Sequence, residues 1–208
     1  MSRRWRAAIA AACMASALFL VWLDHNSPQR PNPHQDQSTA QARARDIEKY
    51  HGKTFVVSNV VDGDTIDIDV PDGEYEHTRI RLWGVDTPES KSPKVGVMYF
   101  GPEAAEYTRK LLLGRDVRIF LDADNRTRCY YGRVLAYVQL PDKRFLNELL
   151  LAEGYAYADV RFRHSYYNKY KQLESAARGQ RRGLWADVTR DQLPKWLQEK
   201  KPTLLLDK

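Results

Sequence analysis

The chain has 208 residues, with 33 Lys and Arg against 27 Asp and Glu for a net charge of +6. That length suits one domain with appendages, and two distant cysteines, Cys13 and Cys129, exclude a disulfide-stapled miniature fold. The first 52 residues carry seven Lys and Arg and four Asp and Glu, half of the surplus, so a generally basic domain is excluded and any nucleic-acid footprint must be local.

Arg3, Arg4 and Arg6 precede an apolar run of 17 residues, Ala7 to Leu23. That is near the lower limit for crossing a hydrocarbon layer of roughly 30 Å. Trp5 and Trp22 sit near the ends of the run, and the arginines predict that the N-terminal end stays in the cytoplasm. Two readings compete: an uncleaved signal anchor, or a signal peptide cut at Ala15-Ser16-Ala17. The anchor is preferred, because cleavage there leaves Leu18 to Leu23 as an apolar mature terminus. Residues 1–24 are therefore expected to form a transmembrane signal anchor or a signal peptide. The domain is then held at the membrane outside the cytoplasm, periplasmic or extracellular, or is secreted after cleavage. Residues 25–52 read as a flexible linker: Asn26 to Gln41 is rich in Pro, Gln, Ser, Asn and His, with too few apolar residues to fold. Ala42 to Tyr50 is expected to form a short polar helix.

The domain is expected over 53–187. Thr54 to Val61 is β-branched and apolar and predicts a strand. Asp62-Gly63-Asp64 is a tight turn, with the glycine supplying backbone freedom. Thr65 to Val70 and Thr78 to Val85 alternate apolar and polar positions and complete a three-stranded meander. Ser90 to Phe100 is a loop. Pro102 to Leu113 predicts a helix stopped by Gly114. Strands follow over Asp116 to Leu121 and Gly132 to Leu140, separated by a polar loop. Helices are predicted over Phe145 to Glu153 and Tyr166 to Arg182, with Leu184-Trp185 folding back onto the body. Residues 188–208 are a C-terminal tail without assignment. Five strands with a helix between the third and fourth is the order of a Greek-key OB-fold barrel, an α+β domain with three packed helices.

The stretch from Val60 to Glu89 carries the chemistry. Asp64 and Asp86 offer hard oxygen donors of the kind Ca²⁺ or Mg²⁺ takes, leaving positions for phosphate and water. Glu89 is a candidate general base. Arg81 and Arg133 are candidates for gripping a phosphate and stabilising transition-state charge. Tyr131 is a candidate for touching phosphate or base, and Lys91, Lys94, Arg126 and Arg128 for a basic rim. Each signal has a plainer reading taken alone: a hairpin turn, a capped turn, a surface ion pair, a solvated lysine.

Taken in order and spacing, the pieces are specific. Asp62-Gly63-Asp64-Thr65, the run R-L-W-G-V-D-T-P-E from Arg81 to Glu89, Lys91-Ser92-Pro93, Gly101-Pro102-Glu103-Ala104, Tyr131-Gly132-Arg133, Asn147-Glu148 and Gly183-Leu184-Trp185 together resemble the thermonuclease, or staphylococcal nuclease-like, family. The resemblance implies a Ca²⁺-dependent nuclease on an OB-fold, acting on DNA or RNA and leaving a 3′-phosphate. It implies that Asp64 and Asp86 bind the cation with the Thr87 carbonyl, that Arg81 and Arg133 bind phosphate, that Glu89 acts on the water and that Tyr131 contacts a terminal phosphate. The chain departs from the family at Tyr130, where a lysine is expected, and at Val160 and Phe162, where the base-stacking tyrosines are expected. Tyr155, Tyr157, Tyr166 and Tyr167 are the candidates to replace them. The competing expectations are a non-catalytic OB-fold module that holds nucleic acid at the membrane, and an envelope protein whose nuclease-like domain binds a protein. A monomer is expected.

Overall fold

A computed structural model describes residues 33–91 and 96–205 of the chain. The apolar run and the first part of the expected linker lie outside the described residues, as does Lys94. Among the described residues no helix is long and apolar enough to cross a membrane. The chain divides into two compact units, residues 1–41 and residues 42–208.

Helix α1 (Pro33–Tyr50) starts earlier than the expected helix at Ala42 and covers part of the segment read as flexible. Its run Ala40-Gln41-Ala42-Arg43-Ala44-Arg45 is made of good helix formers, and a solvated helix needs no apolar face over its whole length. Its last turns belong to the folded body: Asp46 and Tyr50 are buried, so the second unit starts before residue 53.

Strand β1 (Thr54–Asp62) pairs antiparallel with β2 (Thr65–Ile68), and β2 with β3 (Thr78–Leu82). The register of β1 shifts between Val57 and Asn59 and again between Val60 and Asp62. This bulging turns Val57 and Val60, three positions apart, both into the core, where a regular strand would face them oppositely. The meander is as expected from sequence, with one correction. The run to Val85 is two strands, because Gly84 takes φ +77° and redirects the chain. A Cβ at Gly84 would also lie 2.4 Å from the His164 ring. Strand β4 (Val85–Asp86) thus leaves the barrel.

Helix α2 (Gly101–Leu112) packs on β1 and buries Ala104, Ala105, Thr108 and Leu112. Strand β5 (Asp116–Phe120) pairs with β1, and β6 (Val134–Gln139) pairs antiparallel with β5 and parallel with β3. The order β1-β2-β3-β6-β5 closes a five-stranded barrel, the expected OB-fold arrangement. Its interior is Ile66, Ile68, Ile80, Leu82, Ile119, Val134 and Val138, all essentially inaccessible to solvent.

Helix α3 (Leu146–Ala152) covers one end of the barrel. Asn147, fully buried, ties it there: its Oδ1 accepts from Val138 N–H at 3.0 Å and its Nδ2 donates to the Trp83 carbonyl at 3.0 Å. Strand β7 (Tyr157–Ala158), too short to read from sequence, pairs with β4. Helix α4 (Tyr167–Gly179) packs on α3 and buries Tyr170, Glu174 and Ala177. The tail is not an appendage. A 3₁₀ turn over Arg190–Gln192 leads into helix α5 (Lys195–Lys200), and Val188, Leu193, Leu197 and Leu204 form a second core with Trp185 and Tyr157.

Candidate active site

The β1–β2 turn puts Asp64 at the heart of the site. The carboxylate is buried and collects three donors: Thr87 N–H on Oδ2 at 2.9 Å, Thr65 Oγ1 on Oδ1 at 2.9 Å, and the guanidinium of Arg81 on the neighbouring strand. Leu82 N–H donates to the Asp64 carbonyl at 2.9 Å, and Thr108 Oγ1 from α2 donates to the Gly63 carbonyl at 2.7 Å, so the turn is clamped from two sides. Gly63 is required for space rather than for backbone freedom. Its φ is ordinary, but a Cβ there would lie 2.9 Å from the Thr87 side chain.

Asp86 arrives from another direction. The β4–β7 ribbon aligns it opposite Tyr157. Arg81 bridges the two carboxylates, Nη1 to Asp64 and Nη2 to Asp86. Arg161, held by Asp159 at 2.8 Å, stands 3.4 Å from Asp86 Oδ1. Burial alone would weaken the Arg81 charge, but Asp64 and Asp86 more than offset it and hold its pKa above the ordinary value. Burial pushes the Asp64 carboxyl up, with Asp86 and Asp62 adding to the rise against Arg81 and the Thr87 N–H. Glu89 is likewise raised, by burial first and then by Asp62, Asp64 and Asp86.

These groups open onto a cleft of about 330 Å³ lined by Arg81, Asp86, Glu89, Arg133, Tyr131, Arg161 and Phe162, among others. The site residues expected from sequence are therefore brought together: Arg81, Asp86, Glu89, Arg133 and Tyr131 on the cleft wall, with Asp64 and Thr87 buried behind them. Among the described residues the Arg133 guanidinium meets a soft partner and a ring, Cys129 Sγ at 3.4 Å and the face of Tyr131 at 5.6 Å, and no carboxylate is bonded to it. The carboxyls of Asp62, Asp64, Asp86 and Glu89, gathered here and balanced in part by Arg81, suit a hard divalent cation. Two buried hydroxyls in the same loop, Thr87 Oγ1 and Ser90 Oγ, have no hydrogen-bond partner among the described residues. Among the described residues no cluster of three or more His, Cys, Asp or Glu stands ready as a complete ligand set. Asp64 and Asp86, bridged by Arg81, are two carboxylates of the smaller set expected.

Other expected residues lie outside the cleft or are engaged elsewhere. Lys91 is exposed but does not line the cleft. Arg128 is not a free rim cation: it bonds Asp46 at 2.7 Å and Asp72 at 2.6 Å, pinning the end of α1 to the β2–β3 turn. Arg128 lines a larger groove of about 950 Å³ alongside, together with Arg79, which is paired with Asp67, and with Arg133 and Tyr131, which that groove shares with the cleft. Of the tyrosines considered as stacking replacements, Tyr157 is in the second core, Tyr155 stacks on Tyr107 at 4.2 Å, and none of Tyr155, Tyr157, Tyr166 and Tyr167 lines the cleft. Phe162 does, 47 % exposed and under the guanidinium of Arg126 at 5.3 Å. Tyr130 and Tyr131 are exposed beside it.

Two groups were missed from sequence. Arg161 gave no signal beyond its charge. Trp196 donates Nε1–H to Asp86 Oδ2 at 2.7 Å. Leu193, Trp196 and Leu197 have the i, i+3, i+4 spacing of a short docking helix, and that was the available signal.

The family model described as staphylococcal nuclease homologue matches residues 79–187. The thermonuclease of Staphylococcus hyicus is 37% identical over 136 residues, 65% of this chain and 77% of that protein. The thermonuclease of Staphylococcus intermedius is 45% identical over 107 residues, 51% of this chain and 60% of that protein. An uncharacterized endonuclease of Escherichia coli is 32% identical over 153 residues, 71% of this chain and 83% of that protein.

Proposed function

The chain belongs to the staphylococcal nuclease family, and from that membership we propose that it is a calcium-dependent nuclease hydrolysing phosphodiester bonds of DNA or RNA by attack of water, leaving 3′-phosphate ends. The observation that carries the reading is one cleft walled by Arg81, Asp86, Glu89 and Arg133, with Asp64 directly behind. Asp64, Asp86 and the Thr87 carbonyl would hold the cation. When bound, Ca²⁺ polarises the phosphoryl oxygen and offsets the charge that builds on it. Arg133, which bonds no carboxylate among the described residues, donates to the phosphate oxygens, and Arg81, lining the same cleft, does so too. Glu89, pushed up by burial and by its acidic neighbours, is the stronger for it as acceptor of the water's proton. Tyr131 meets the terminal phosphate, and Lys91 and Lys94 guide the anionic strand in. Phe162 offers a ring for base stacking in place of the family's tyrosine.

The domain acts as a monomer, exported and held at the membrane by the N-terminal apolar run. Millimolar Ca²⁺ outside the cytoplasm suits a site with two carboxylates. The full chain, purified and incubated with single-stranded DNA or RNA, is expected to cut in Ca²⁺ and stop in excess EGTA. Asp64→Ala is expected to abolish cutting while the circular dichroism stays that of the folded chain. Cutting by a folded Asp64→Ala chain sinks the metal assignment. No cutting by the folded wild type in any divalent cation moves the reading to an OB-fold module that binds without hydrolysing.

A further inference from the structure

The family match ends at residue 187, yet the chain beyond it reaches back into the site. Leu193, Leu197 and Leu204 are buried in the second core with Trp185, so the segment carrying Trp196 is docked by packing. The indole projects from α5 to Asp86. Its N–H takes Asp86 Oδ2 at 2.7 Å, and the Arg161 guanidinium stacks on its face at 4.4 Å while standing 3.4 Å from Asp86 Oδ1. One oxygen of Asp86 is thus held by a neutral donor on a packed helix. The other is turned toward Arg81, the bridge to Asp64.

Resting on the calcium reading above, we propose that Trp196 is a positioning residue for Asp86: the C-terminal segment supplies the hydrogen bond that fixes the orientation of this carboxylate for the cation. On this two-residue strand the orientation of the carboxylate depends on its partners, and with Oδ1 turned to Arg81 the indole alone holds Oδ2 among the described residues; ordering that oxygen on binding would cost affinity. An indole donor imposes that order in advance. It adds no charge to compete with the cation, which a lysine or arginine in its place would do.

The test measures Ca²⁺ binding to the full chain by calorimetry, without substrate. Trp196→Phe keeps an aromatic ring against Arg161 and loses the N–H. It is expected to raise the Kd for Ca²⁺ about tenfold, in the range seen when a group supporting a metal ligand is removed. Trp196→His, which keeps a ring N–H, is expected to recover most of the affinity. Thermal melting of both without Ca²⁺ is expected to match the wild type. An unchanged Kd in folded Trp196→Phe overturns the proposal, as does a lowered melting temperature with unchanged Kd, which would make the indole mere packing. If Trp196→Phe fails to fold, the wild-type indole N–H resonance decides: a carboxylate-bonded signal that moves on Ca²⁺ saturation supports the role, and one indifferent to Ca²⁺ overturns it. A wild type that takes up no Ca²⁺ fails the calcium reading itself, a different outcome from wild type and Trp196→Phe binding equally.

Discussion

Arg81 and Arg133 look equivalent in the sequence, both arginines on or beside a strand, and the structure separates them. Arg81 is largely enclosed between two carboxylates, and Asp64 is 2% exposed behind it. Removing its charge leaves a buried carboxylate without its counter-ion, which destabilises the fold as well as the site. Arg133 has no such partner. Arg133→Ala is therefore expected to lower kcat by about 10² to 10³ with the melting temperature unchanged, and Arg81→Ala to lose at least as much activity and to melt earlier. Steady-state kinetics and thermal melts on the same preparations check both. Phe162→Ala is expected to weaken strand binding by about 1–3 kcal/mol, read as a raised KM with kcat little changed. The carboxylates and arginines were legible because their residue types and spacing carry chemistry directly. Arg128 was not, since its partners Asp46 and Asp72 are distant in sequence and a lone arginine gives no sign of being paired.

Strands and helices were legible where periodicity is long. The meander, α2 and α4 were readable from alternation or a repeated apolar face. β7 was not, because a two-residue strand has no period, and Glu174 inside α4 reads as a surface residue until its pairing with Lys201 at 2.6 Å and its acceptance of the Ala158 N–H at 3.1 Å are seen. Polar ties between elements are likewise invisible in sequence and testable in structure. Asn147→Ala removes the bonds holding α3 to Val138 and Trp83 and leaves buried backbone groups unpaired, an expected loss of about 3 kcal/mol by denaturant titration. Asp122 ties the loop after β5 to β6 and to the start of α4. Burial opposes its charge, but Tyr137 Oη at 2.6 Å, Ser165 N–H at 2.8 Å and Asn125 Nδ2 at 2.8 Å overcome that and hold its pKa well below the ordinary carboxylate range. The unfolded chain then binds the proton first as pH falls. The stability this gives is complete above the ordinary carboxylate value and is lost as pH drops toward the folded one. Asp122→Asn is expected to melt earlier than wild type at pH 7, with the gap narrowing below about pH 3.5 as the wild type loses its advantage.

Over the whole molecule, the site is a meeting of distant pieces. It draws on the β1–β2 turn, β3, the β4–β7 ribbon, the loop and first residues around β6, and α5 from the far end of the chain. The barrel's closure was readable from strand order. The docking of residues 188–205 was not, because its apolar positions are few and only the second core shows where they go. The apolar N-terminal run carries its own prediction: intact cells or vesicles are expected to hold the protein in the membrane fraction, with the domain removed by protease added outside. Release into the soluble fraction of a chain lacking its first residues would instead favour cleavage.

The seam between β3 and β6 is parallel, joining Arg81 to Leu135 and Leu82 to Ala136, and it brings Arg133 and Arg81 to one cleft across half a hundred intervening residues. No local segment can bring those two guanidinium groups together; only the finished barrel can. A chain still emerging from the ribosome or threading through a translocation pore thus carries Asp64 and Arg81 within β1 to β3 without the Arg133 that shares the cleft with Arg81. The hazard of making such an enzyme beside the cell's own nucleic acid is deferred by topology to the moment the last strand is seated.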